Sequence, residues 1–301
     1  MTDPESNFEP KEDSWDSDGD DPANDLFYIT RLIKHFETNY CINNQRIFAV
    51  GLGQGGGMMH QLACQTHLSR KIAAFAAVAG AFYKPRGEED GFWSKCLIGR
   101  RPIPILEIHG DQDKVYPLVP SKKQKKNGLI SISDWISKWR ILNSCGDVKH
   151  KPKSSKTSST TIITELESGQ RSESLVFGGG AIKEAYRCGF WKDRSNDDFD
   201  AEEKEQWRLS VVHYIVRGFS HGWPRLNVKE QDEVTFKGKK VKPTGNPSID
   251  ATSIILNFFN HHRLPDQSVI HGQAKRLLME RGAPVRDGKT VPKNIPIHTE
   301  L

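Results

Sequence analysis

Three stretches of this 301-residue chain hold residue types that could do chemistry together. The first is the run Gly51, Leu52, Gly53, Gln54, Gly55, Gly56 and Gly57. The second is Gly110, Asp111, Gln112 and Asp113, and the third is Gly218, Phe219, Ser220, His221, Gly222 and Trp223. The glycine run admits two readings. As GxGxxG, with Gly51, Gly53 and Gly56, it would let bare backbone approach a dinucleotide pyrophosphate at a helix N-terminus. Such a site wants an acidic residue about twenty positions on to hold the ribose, and Ala73 to Phe82 contains none. As a nucleophile elbow, GxSxG, it would lift one side chain above a sheet, with glycines on both sides because the turn packs tightly. Gly51 and Gly55 fit those flanks, but Gly53 stands where the serine would be.

The elbow reading also predicts partners in the order nucleophile, acid, histidine. Asp113 is the expected acid and His221 the expected base, each just after a β-like run. In a triad the histidine takes the nucleophile's proton while the carboxylate orients the ring and stabilises its cation. With Gly53 there is no hydroxyl to deprotonate. Taken singly, Asp113 reads as a turn residue and His221 as a structural loop histidine; their joint order and placement raise them above that.

The elements that must position these loops alternate between helix and strand, so the expected class is α/β. Leu26, Ile29, Leu32, Ile33 and Phe36 make one helical stripe, which Asn24 or Asp25 can cap. Arg46 to Val50 reads as a strand and Met58 to Cys64 as a helix, giving strand, sharp turn, helix. Ile72 to Val78, Ile103 to His109 and Leu209 to Val216 read as buried strands. Trp135, Ile136, Trp139 and Leu142 share a face of a helix spanning Ser133 to Asn143, with Ser131 or Ser133 as its cap. Ala251 to Phe259 reads as a closing helix.

Composition sets the limits. A hydrophobic fraction of 36% is low for a compact enzyme, and mean hydropathy is −0.61. The polarity sits in an acidic leader over residues 1–24, an insertion loop near 149–170 and an extension over 263–301 that loses the core pattern. These flank or interrupt one domain at 25–262. Residues 1–25 carry ten acidic side chains against Lys11 alone, so the net charge of +5 leaves the remainder more basic still. Lysines gather at 122, 123, 125 and 126 and at 237, 239 and 240, but no aromatic residues interleave them as a nucleic-acid groove would require. No nucleic-acid or membrane partner is therefore expected. No stretch approaches a membrane span, and the first residues lack the pattern of a secretory leader, so the chain as written is expected to be cytoplasmic. Five scattered cysteines make no zinc pattern. Cys145 and Cys188 can pair in an oxidising compartment, Cys64 and Cys96 are a second possibility with Cys41 left over, and free thiols are the competing expectation.

Three stretches now make a resemblance specific: Asp25 to Tyr83, RPIPILEIHGDQDKVYPL (Arg101 to Leu118) and VVHYIVRGFSHGWP (Val211 to Pro224). Together they resemble the secreted fungal feruloyl esterases, which are related to acetyl xylan esterases and polyhydroxybutyrate depolymerases. The resemblance implies an α/β-hydrolase fold with a mainly parallel sheet and helices on both faces. It also implies cleavage of ferulate esters of cell-wall arabinoxylan without metal or organic cofactor, and an extracellular location. By it, Asp113 and His221 carry over as triad members, Gly53 occupies the nucleophile position, and the backbone N–H of Gln54 is one oxyanion donor. Trp223 stands at the rim of the cleft as a substrate-binding residue. The family's early strands and its HG-type loop would precede Leu26, so the expectation is a domain lacking its first strands, with one sheet edge uncovered and ester turnover impaired. A non-catalytic binder of an aromatic acid or sugar is the alternative, and a dinucleotide enzyme a more distant one.

Overall fold

The computed structural model describes residues 22–84, 96–145, 171–188, 209–226, 232–236, 239–245, 247–265, 285–286 and 289–290. The leader up to residue 21, the insertion loop at 149–170 and most of the extension after residue 265 lie outside the described residues. The frame is a six-stranded sheet in the order β1-β2-β3-β6-β5-β4. Its strands are β1 (Phe48–Leu52), β2 (Ala74–Val78), β3 (Ile105–Gly110), β4 (Arg171–Val176), β5 (Ala181–Arg187) and β6 (Leu209–Val216). The first three and β6 run parallel, and β5 and β4 continue the sheet antiparallel. Helices α1 (Pro22–Asn39), α2 (Gln54–Ala63), α3 (Lys122–Lys126), α4 (Ile132–Leu142) and α5 (Ala251–Asn260) complete the α/β layers.

Alternation along each strand divides the core in two. Phe75, Ile105 and Val211 face one cluster with Ile33 of α1, Met58 and Leu62 of α2, and Trp135 and Trp139 of α4. Ala76, Leu106, Ile108, Val212 and Val216 face a second cluster with Ile255 and Phe259 of α5. Helices thus cover both faces, as the sequence led one to expect. Buried on both sides, β2 and β3 show no exposed residue, which is why they read as continuous apolar runs.

Several details differ from the sequence reading. The first helix starts at Pro22, not near Leu26, and proline suits a first helical turn because its missing N–H has no acceptor there. Asn24 and Asp25 therefore lie inside it rather than capping it. Its stripe is narrower than expected: Ile33 is buried, whereas Leu32 and Phe36 are 36% and 42% exposed. This helix lies beside α2, near the border strand β1, where only one line of side chains finds apolar partners. The second helix begins at Gln54, directly after Gly53, although Gly55, Gly56 and Gly57 are poor helix formers. The first lysine group forms the short exposed helix α3, capped reciprocally by Ser121 and Gln124. In the second group, Lys239 and Lys240 lie on a small strand, while Lys237 falls outside the described residues. The hairpin of β4 and β5 escaped the reading because its strands are rich in charge; its turn uses Gly178 and Gly179 at φ 65° and 86°. Ser131, rather than Ser133, caps α4 by accepting from the Asp134 N–H at 3.1 Å.

Two disulfides join Cys64 to Cys96 and Cys145 to Cys188, and Cys41 is free and exposed. The second ties the chain just after α4 to the end of β5. Among the described residues, no helix is long and apolar enough to cross a membrane.

Candidate active site

Open α/β sheets place their sites at the carboxyl ends of parallel strands, and all three loops named above lie there. Gly53 links β1 to α2 at φ 57° and ψ −117°, a conformation strained for any residue with a side chain. Its N–H donates to Val78 O at 2.9 Å, and its carbonyl accepts from Ala81 N at 2.9 Å and Gly57 N at 3.0 Å. The turn is thereby bolted to the end of β2. A Cβ on Gly51 would lie 2.3 Å from the Gly55 carbonyl, and one on Gly56 would lie 2.9 Å from Gly80 Cα. The flanking glycines are steric requirements. The space at Gly53 is different: a Cβ there would sit 3.5 Å from His221 Nε2 and 3.6 Å from Tyr116 Cε2, in ordinary contact. A side chain at position 53 fits, and it faces the imidazole.

Asp113 and His221 meet directly. His221 Nδ1 donates to Asp113 Oδ2 at 2.7 Å, and both residues are buried. In the neutral ring this leaves the Nε2 lone pair directed at the elbow, the orientation a proton acceptor needs. Asp113 Oδ1 is held by the N–H groups of Val115 and Tyr116 at 2.8 and 2.9 Å. Burial disfavours the Asp113 charge, but hydrogen bonds from His109 and His221 outweigh it and hold the carboxyl well below its ordinary range.

The loops also grip each other. Gln112 N donates to Phe219 O at 2.9 Å, and Gly218 N donates to Asp111 Oδ1 at 2.7 Å. A Cβ on Gly110 would lie only 2.1 Å from Phe219 O, so the close approach depends on glycine.

Other residues of the site were not evident from sequence. The Tyr116 ring meets His221 edge-on, with centroids 5.3 Å apart. Behind Asp113, His109 Nε2 lies 2.7 Å from Tyr116 O and 3.3 Å from Asp113 Oδ2, while its Nδ1 lies 2.7 Å from Glu107 Oε1. The other Glu107 oxygen is 3.0 Å from His213 Nε2, a skewed contact, and His213 Nδ1 is 3.5 Å from Glu184 Oε2. The signal was present as period-two polarity, Glu107 and His109 on one face of β3, inside a run otherwise apolar.

Gln54 opens α2 directly after Gly53, and the first N–H groups of a helix have no acceptor within it. Trp223 is held on the closing helix: its Nε1 donates to Thr252 Oγ1 at 3.0 Å, and its ring packs in the cluster of Phe219 and Ile255. The structure thus brings Gly53, Asp113 and His221 together, with Gln54 adjacent, and anchors Trp223 to α5. The dinucleotide reading loses support, since β2 ends in Val78, Ala79 and Gly80 with no carboxylate for a ribose. Among the described residues, no group of three or more His, Cys, Asp or Glu side chains is arranged to hold a metal ion.

Comparison with known proteins agrees with the fold. A family model described as phospholipase/carboxylesterase matches residues 9–136. The chain is 32% identical over 107 residues to a probable feruloyl esterase C of Aspergillus clavatus, covering 36% of this chain and 34% of that protein. It is 34% identical over 94 residues to feruloyl esterase C of Emericella nidulans, covering 31% and 30%. A bifunctional acetylxylan esterase/xylanase of Neocallimastix patriciarum is 26% identical over 102 residues, 34% of this chain and 13% of that one. The chain thus spans about a third of the length of the feruloyl esterases it matches. Parallel sheet, helices on both faces and the family match give the chain an α/β-hydrolase fold, and over about a third of its length it is similar to feruloyl esterases.

Proposed function

We propose that this chain carries the acid–base half of a serine carboxylic-ester hydrolase site of the feruloyl-esterase type. In this reading its ester turnover is strongly impaired because residue 53 supplies no alcohol. The observation that carries it is the aim of position 53, whose Cβ direction meets His221 Nε2 at 3.5 Å while Asp113 holds the far side of the ring. A serine there would put its hydroxyl within reach of Nε2. The substrate class is an ester of plant cell-wall xylan, ferulate esters first, in line with the names of the similar proteins. An oxidising, extracellular location belongs to the same proposal and is supported by the two disulfides.

The test uses methyl ferulate and p-nitrophenyl acetate with four proteins: the native chain, His221→Ala, Gly53→Ser, and Gly53→Ser with His221→Ala. Loss of a triad member leaves only the roughly 10³ to 10⁴-fold acceleration that oxyanion hole and binding provide. The native chain is therefore expected to show at most that residual rate, with a gain of at least about a hundredfold in Gly53→Ser that His221→Ala removes. Native turnover that itself disappears on His221→Ala would overturn the impairment.

A second reading, a non-catalytic binder of an aromatic acid or sugar, is favoured by one observation: the Asp113–His221 pair is fully formed although residue 53 beside it brings no hydroxyl. Calorimetry with ferulate and xylo-oligosaccharides separates the two, since absence of heat with either sinks the binder.

A further inference from the structure

Behind the Asp113–His221 pair lies a string of alternating acids and imidazoles that the triad does not require. It runs Glu184, His213, Glu107, His109, Asp113 and His221, crossing from β5 through β6 and β3 into the two site loops. The side chains of Glu107 and His109 are fully buried and that of His213 nearly so, whereas Glu184 is 15% exposed. Glu107, His109 and His213 lie on the face covered by α2 and α4, in step with Ile105 and Val211.

With Glu107 ionised, hydrogen-bond accounting favours a charged His109. Its Nε2 faces the Tyr116 carbonyl, which can only accept, and the Asp113 carboxylate, while its Nδ1 faces Glu107. A ring surrounded by three acceptors is satisfied when both nitrogens carry protons. Burial works against that cation, but the Glu107 carboxylate and the bond to Asp113 push the group up to about 10. The same imidazolium holds Glu107 down to about 2 against the penalty of burial, with His213 helping.

His109 and His221 approach the same Asp113 oxygen, Oδ2, at 3.3 and 2.7 Å. A cation sharing that oxygen offsets part of the carboxylate's charge, and it repels a second proton on His221 across a water-poor space where charges are weakly screened. Glu107 and His109 form a couple whose positive end points at the site and whose negative end points away. We propose that Glu107 and His109 are positioning residues: their buried ion pair clamps Asp113 and limits how strongly that carboxylate holds a proton on His221, keeping the imidazole available as a base. This rests on the hydrolase reading above, but its readout is the protonation of the rings, so it stands or falls separately from ester turnover.

The experiment is a long-range ¹H–¹⁵N correlation of the imidazoles in the full ¹⁵N-labelled chain between pH 5 and 8, with His221 assigned by its loss in His221→Ala. In the native chain His109 is expected to keep both ring protons throughout. In Glu107→Gln, which keeps the size but removes the counter-charge, His109 is expected to lose a proton within this range. The His221 titration midpoint should then rise by at least about one pH unit, a tenfold gain in proton affinity. A neutral His109 in the native chain at pH 7 overturns the proposal. So does a His221 midpoint that stays put in Glu107→Gln. Should Glu107→Gln fail to fold, the native spectrum and the milder Glu107→Asp decide: a shortened acid that loosens the contact should move the His221 midpoint upward, and no movement overturns the proposal.

Discussion

A side chain at position 53 would load the backbone in a way glycine does not. At φ 57° and ψ −117° a residue with a Cβ carries strain of order 1–3 kcal/mol. For a domain of this size, 1 kcal/mol corresponds to roughly 2–4 °C of Tm. Gly53→Ser and Gly53→Ala are therefore both expected to melt several degrees below the native chain in differential scanning calorimetry, while only the serine variant gains esterase activity. Equal Tm values would mean the turn is not held as described. At this scale the sequence was informative about Asp113 and His221, because each follows a strand in triad order. Glu107 and His109 showed only as period-two polarity: a polar residue on a buried strand face is distinguishable from a satisfied core residue only once its partner is known, and Tyr116, in the loop after β3, carried no pattern at all.

The elements matter as carriers of loops. Phe219 O lies 2.1 Å from where a Cβ on Gly110 would be, so Gly110→Ala must push the end of β3 away from the loop after β6. The expected result is separation of Asp113 from His221, read as loss of the downfield Nδ1 proton of His221 in ¹H NMR, with stability falling by an amount typical of overpacking, about 1–3 kcal/mol. Persistence of that proton would show that the loops can yield elsewhere. Strand and helix identities were legible wherever burial on one or both faces imposed a period, as at β2, β3, β6, α4 and α5. Boundaries near the elbow were not, because Gly55, Gly56 and Gly57 disfavour helix locally, although they are helical in the fold, with Gly56 packed against Gly80. The β4–β5 hairpin was missed for a related reason: Lys183 and Glu184 interrupt an apolar strand pattern at positions the fold uses for charge.

For the whole molecule, the buried histidines set opposing pH limits. Burial pushes His60 and His262 down to about 3, so the stability from keeping them neutral is present above the ordinary histidine value of about 6.5 and is lost as pH falls towards 3. Glu107, held near 2, and Asp113, also depressed, add a further loss below about 4. His109, raised to about 10, and His213, also raised, contribute fully below about 6.5 and lose that contribution as pH climbs towards 10. Tm is thus expected to peak near pH 6.5 and fall on both sides; a steady rise from pH 6.5 to 10 would contradict the charged His109. Thiol titration checks the covalent frame: of five cysteines, Cys41 alone should react in the native chain, and all five after reduction and unfolding. The charged row has one further consequence, for assembly of the sheet. Glu184 lies opposite His213 and His213 opposite Glu107, so sliding either strand by a single residue would turn its charged member to the other face and strip it of partners. Apolar strands alone would tolerate such slippage; here three ionisable side chains act as a key that lets β3, β6 and β5 zip in one alignment only.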